Sequence, residues 1–188
     1  AKVLYQAAPL IMTGLSVAFA FKTGLFNIGA SGQYTVGAFA ALACAIIFQM
    51  PWWVCLIASA VAGAVWGVFP GLFKALFNVN EVITSIMFNW IGMFGVNLAF
   101  MNIRNAEGKE AMLPPAFVNS PIKDRTANLN YANKSAIIPK AGLNELFRSE
   151  YINISFIIAI LLAIVLWVVL NRTTFGYELK ACGHNKYA

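Results

Sequence analysis

Residues 153–170 read NISFIIAILLAIVLWVVL, a stretch with no charge that is almost wholly aliphatic from Phe156 onward. A helix of this length reaches about 27 Å at 1.5 Å per residue, close to the ~30 Å hydrocarbon core of a bilayer. Four further stretches, 3–21, 34–48, 53–73 and 82–101, are also almost free of charge. Residues 34–48 are short for a span and must borrow flanking residues or sit in a thinned region. Over the whole chain 60% of residues are hydrophobic and 11% are charged, with a mean hydropathy of +0.72. Soluble domains carry roughly 25% charged residues, so the solvent this composition suits is lipid. The expected fold is all-α: a polytopic membrane helix bundle of about five spans.

Charge and cysteine content exclude other classes. The net charge is +6, but seven of the thirteen basic residues lie in 102–152, mixed with five acids. No basic cluster sits beside stacking aromatics, so nucleic acid is not an expected partner. Cys44 and Cys55 fall in apolar stretches and Cys182 in the polar tail. Their spacing is not that of a metal site, and they read as small apolar filler. There is no GxxxxGK[ST] phosphate loop, and His184 is the sole histidine, so no catalytic constellation is expected. The chain enters an apolar stretch at once and ends just after a polar motif, so both ends are expected to lie within a longer protein.

The spans are not uniformly apolar. In the first, Gln6, Pro9, Thr13 and Ser16 fall on one stripe, and polar groups in membrane helices face protein or water rather than lipid. Residues 22–33, KTGLFNIGASGQ, are a poor helix with Gly24, Gly29 and Gly32. They read either as broken backbone buried at membrane depth or as a tight turn. Alanines crowd the second span, as suits a helix buried among others. The third carries Ser59, Gly63, Gly67 and Gly71 four apart, a small-residue packing ridge, and Pro70 is expected to bend or end it. In the fourth, Glu81, Ser85, Asn89 and Gly92 share a face. Asn89 at mid-helix needs a partner, either as the lining of a polar path or through an interhelical hydrogen bond. Residues 1–101 thus hold four spans and 102–152 a long polar connection with four prolines. Residues 153–170 form the fifth span, and 171–188 a polar tail. Basic residues near the span ends are nearly balanced between the two sides, so charge alone does not choose an orientation.

Three segments carry a resemblance: GLFNIGASGQYTVGAFAA at 24–41, NEVITSIMFNWI at 80–91 and RTTFGYELKACGHNKYA at 172–188. In this order and context they resemble the permease subunits of bacterial ABC importers, in the branch for nucleosides and simple sugars that is related to the branched-chain amino acid permeases. The resemblance covers most of the chain apart from the polar connection. The family pattern often has an acid where Ser31 stands and an arginine where Lys180 stands.

The resemblance implies a multi-pass protein of the bacterial cell (inner) membrane that moves nucleosides or simple sugars by alternating access. It implies that no cofactor is held by this chain, with ATP and magnesium on a separate ATP-binding subunit. It further implies a second permease subunit, identical or homologous, and a solute-binding lipoprotein or periplasmic protein. The tail from Thr174 to Asn185 matches the family's cytoplasmic coupling segment, which places the C-terminal end of the chain inside and 102–152 outside. On that view Phe175 and Tyr177 anchor a short helix near 175–181 in a groove of the ATPase. Glu178 and Lys180 make polar contacts at the rim, and Gly176 and Gly183 set turns around the helix. The expected substrate path lies among the polar stripes, with Asn27, Gln33, Glu81, Ser85 and Asn89 as its candidates. Two rivals stand beside this reading. An ion-gradient-driven secondary transporter would use intramembrane carboxylates, of which only Glu81 is near a span. A membrane scaffold would move no solute, and the polar stripes argue against it.

Overall fold

A computed structural model of the chain describes residues 2–105, 133–146 and 153–184. Most of the 102–152 connection, and the tail beyond His184, lie outside the described residues. All regular structure among the described residues is helical: α1 (Lys2–Lys22), α2 (Ala30–Ile46), α3 (Trp52–Phe77), α4 (Glu81–Asn105), a 3₁₀ turn (Lys134–Ala136), α5 (Leu143–Leu146), α6 (Ser155–Arg172) and α7 (Thr174–His184). Helices α1, α2, α3, α4 and α6 fall on the five apolar stretches. By length and composition α3, α4 (over Glu81–Ala99) and α6 can each cross a membrane. Helix α1, at 21 residues, reaches about 31 Å. Helix α2 has 17 residues and reaches only about 25 Å, as the short stretch anticipated. The chain is an all-α polytopic membrane bundle.

It divides into two compact units, residues 1–30 with 138–188, and residues 31–137. In the first, α6 packs against α1, and α7 packs against both. Ala159, near the start of α6, is fully buried, while Ile157, Leu161, Ile164, Val165 and Val168 are exposed. A helix with this much bare aliphatic surface suits lipid or further membrane helices.

In the second unit the small-residue ridge of α3 does what its spacing implies. A Cβ on Gly37 of α2 would lie 3.0 Å from the Ser59 carbonyl oxygen, and one on Gly67 would lie 2.7 Å from the Gln33 amide nitrogen. Gly71, the last of the series, has nothing within 4 Å and is not part of the seam. Helices α3 and α4 meet through an aromatic cluster, with Phe69 and Phe88 stacked at 5.3 Å and Trp66 edge-on to Phe88 at 5.7 Å. The Trp66 indole donates to the Phe88 carbonyl at 3.1 Å. Pro70 does not end α3, which continues to Phe77 with the proline buried inside it. A proline within a membrane helix is tolerated where neighbouring groups re-satisfy the freed carbonyl.

Residues 78–81, NVNE, form a pair of caps between α3 and α4. Asn78 stops α3 in the left-handed conformation (φ 52°), its N–H bonded to the Lys74 carbonyl, a conformation asparagine adopts more readily than most residues. The Asn80 side chain then accepts from the Val82 N–H at 2.9 Å, as an N-cap residue does.

A less expected cap comes from far along the chain. Asn133, buried, donates its amide to the carbonyls of Ala45 and Met50, both at 3.0 Å. It thereby satisfies carbonyls that the end of α2 and the turn after it leave without helical partners. Asn133→Ala strands the Ala45 carbonyl and leaves Met50 only the Cys55 thiol at 3.6 Å, at a cost of about 1–3 kcal/mol. A lower melting temperature of the detergent-purified protein is the expected result; an unchanged one removes the cap from the account.

Candidate functional site

The residues singled out from the sequence fall into two groups, one in each unit. In the second unit the polar group is built around the start of α2. Residues 30–33 are already helical, so the broken segment is confined to 23–29. The Ser31 hydroxyl donates to the Asn89 side-chain oxygen at 2.7 Å. A Cβ on Gly32 would stand 2.7 Å from the Asn89 Cα, so only glycine lets α2 and α4 approach closely enough for that bond. Two residues after Ser31, Gln33 sits against Gly67 of α3. Thus Gln33 and Asn89 converge on the seams between α2 and its neighbours. Of the two readings of Asn89, the interhelical hydrogen bond is present. Ser85, one turn before Asn89, is buried at 2% exposure. Gly92 packs against the Trp66 indole, whose nitrogen would be 3.1 Å from an added Cβ.

Two of the five pathway candidates sit apart from this cluster. Glu81 forms an ion pair with Lys74 at 2.8 Å across the α3–α4 turn. It also lies in the first turn of α4, where a carboxylate suits the helix dipole. Its geometry is that of a clasp at a helix end. Asn27 lies in the first unit, where its amide donates to the Ser16 hydroxyl at 3.5 Å, joining the broken segment to the polar stripe of α1. Ser31, to which the sequence assigned no role, is the partner that Asn89 required.

In the first unit the tail forms a helix longer than expected, Thr174–His184. Thr173 begins it as a cap: the Gly176 N–H donates to the Thr173 hydroxyl oxygen at 3.2 Å, and that hydroxyl donates back to the Val169 carbonyl at 2.5 Å. Gly176 and Gly183 do not set turns around the helix. Both lie inside α7, and neither has positive φ. What they provide is space. A Cβ on Gly176 would collide with the Val169 carbonyl oxygen and come 2.6 Å from the Leu170 Cα. A Cβ on Gly183 would lie 2.7 Å from the Thr23 carbonyl carbon. The contact is mutual, because a Cβ on Gly24 would lie 2.7 Å from the Gly183 oxygen, and Gly24 itself has φ +74°. Helix α7 is therefore seated on the end of α6 at its start and on the broken segment at its finish. Phe175 and Tyr177 point away from this seat, 56% and 76% exposed, and Glu178 is exposed. Lys180 is turned back, its ammonium donating to the Asn171 side chain at 2.8 Å.

A membrane helix bundle joined by polar side chains between its helices is the class of protein that these features define. The chain matches, over residues 1–188, the family described as branched-chain amino acid transport system / permease component, and it belongs to that family. It is 35% identical to a guanosine ABC transporter permease protein of Bacillus subtilis, over 97% of this chain and 49% of that relative. It is 32% identical to a nucleoside ABC transporter permease protein of Lactococcus lactis, over 97% of this chain and 48% of that protein. A glucose ABC transporter permease protein of Haloferax volcanii is 29% identical, over 100% of this chain and 48% of its own length. The chain thus spans about half the length of the curated relatives it matches. No solved structure matches it.

Proposed function

We propose that this chain forms part of the membrane-spanning permease subunit of an ATP-driven importer of nucleosides, working by alternating access. The observation that carries the proposal is the likeness to permeases named for guanosine and nucleosides at 35% and 32% identity. The permease breaks no covalent bond in this reading. ATP and magnesium act on a separate ATP-binding subunit, a second permease subunit completes the pathway, and a solute-binding lipoprotein or periplasmic protein delivers the substrate. The C-terminal end faces the cytoplasm, where the exposed Phe175 and Tyr177 of α7 enter a groove of the ATPase, with Glu178 at its rim. Closure of the ATPase dimer then moves α7, and through its glycine seats the end of α6 and the broken segment. The substrate passes beside the polar seam of Ser31, Gln33 and Asn89, with Ser85 one turn earlier on α4.

The test is ATP-dependent uptake of labelled nucleosides by the full-length permease, reconstituted in liposomes with its ATPase and binding protein. Uptake that needs both ATP and the binding protein is expected. Uptake of sugars alone, the reading favoured by the glucose permease relative, keeps the mechanism and changes the substrate. Uptake driven by an ion gradient without ATP overturns the proposal. Within the same assay, Asn89→Leu at normal expression should lower uptake about fivefold or more, the low end of inter-site coupling. Wild-type rates in that variant remove Asn89 from the pathway.

A further inference from the structure

Helices α1 and α6, with Lys180 of α7, line a half-open cavity of about 270 Å³, just below the ~300–1,000 Å³ of ordinary small-molecule sites. Its walls are apolar, with Phe19 of α1 and Leu166 and Trp167 of α6 among them, and its rim is polar, formed by Lys22, Asn171 and Lys180. Lys22 ends α1, Asn171 lies in the last turn of α6, and both helices are membrane-spanning in length. The cavity therefore opens at the level where hydrocarbon gives way to headgroups. Trp167 stands one turn below Asn171, and tryptophan is enriched at that depth.

The charge at the rim is one-sided. Neither acid of this unit among the described residues, Glu145 or Glu178, lines the cavity. The partial negative charge of the carbonyl ends of α1 and α6 is met by Lys22 and Arg172 in their last turns. Lys180 adds a further cation, held at the rim by its bond to the Asn171 oxygen at 2.8 Å. An ammonium has three donors, so Lys180 keeps others for a ligand, and the Asn171 amide already donates to the Trp167 carbonyl at 3.0 Å.

We infer that this cavity binds an anionic phospholipid, its phosphate between Lys22 and Lys180 and an acyl chain along Phe19, Leu166 and Trp167. A basic rim over an apolar slot between membrane helices is the arrangement that recognises such headgroups. A free anion would use the rim and leave the apolar slot empty, whereas a lipid fills both. Because Lys180 belongs to α7, the lipid braces that helix against α1 and α6.

The experiment uses the intact transporter complex in detergent, equilibrated with equal phosphatidylglycerol and phosphatidylcholine. Native mass spectrometry then counts lipids retained per permease. Retention of phosphatidylglycerol over phosphatidylcholine is expected, falling about fivefold in Lys22→Gln and returning in Lys22→Arg. Equal retention by the wild type and Lys22→Gln overturns the inference. So does a wild type that retains no phosphatidylglycerol, as would follow if another segment of the full-length protein fills the slot. Displacement of the lipid by inorganic phosphate at equal concentration also overturns it, in favour of a free-anion site. The readout is binding and needs no transport, so its failure is distinct from failure of the importer reading.

Discussion

Gly176→Val should leave the transporter hydrolysing ATP while uptake per ATP falls at least about tenfold, within the ~5–150-fold range of ordinary inter-site coupling. The reason is steric and local. A Cβ at this position would overlap the Val169 carbonyl oxygen and sit 2.6 Å from the Leu170 Cα and 2.7 Å from its oxygen. These are backbone atoms, which cannot swing aside as a flexible side chain can. The start of α7 must lift from the end of α6, and the Thr173 cap, which reaches the Gly176 N–H at 3.2 Å, loosens with it. Overpacking of this kind costs about 1–3 kcal/mol, so the bundle should persist and the damage should fall on the junction. Gly176→Ala introduces the same first carbon and should show most of the effect. Measuring ATP hydrolysis and uptake in the same liposomes decides the matter. Undiminished uptake per ATP in the valine variant means that α7 is not the route by which force enters this chain.

The second large effect is expected where α7 ends. Gly183→Val places a Cβ 2.7 Å from the Thr23 carbonyl carbon and 2.9 Å from the Gly24 nitrogen. Gly24→Val clashes with the same contact from the other side and must also adopt φ +74°, which costs a residue with a Cβ roughly 1–2 kcal/mol more. Each single variant should therefore reduce uptake per ATP about tenfold, with Gly24→Val the less stable of the two. Residues in direct contact are not additive. The double variant should therefore be little worse than the poorer single one. Fully additive losses would show that the two glycines act by separate routes.

Much of the architecture was legible because it is written in composition and period. The five apolar stretches became helices, the short second one came out short, and the run of Ser59, Gly63 and Gly67 became a helix seam. The need of Asn89 for a partner was visible as well, since an amide at mid-span is costly without one. The identity of that partner was not, because Ser31 lies 58 residues away and the family pattern directs attention to a charge that is missing there. Asn133 was beyond reach for the same reason: its acceptors belong to a turn more than eighty residues earlier, and no local signal marks an asparagine that caps another helix. The grouping of α1 with α6 and α7 is equally silent in hydropathy, which locates spans without pairing them. Gly176 and Gly183 show a subtler limit. A glycine needed for positive φ and one needed for close approach look alike in a sequence, and here both are of the second kind. Glu81 shares a helical face with Ser85 and Asn89 by spacing, but its ion pair with Lys74, seven residues back across a turn, makes it a clasp at the helix end.

The two glycine seats of α7 have a mechanical consequence. A helix of 11 residues is about 16 Å long, and one gripped only at its base would swivel, losing any push as rotation. Gripped at both ends, it behaves as a crossbar. In the proposed importer, a load applied at the exposed faces of Phe175 and Tyr177, near one support, would be shared with the other, so that the tip of α6 and the bend after α1 would move together.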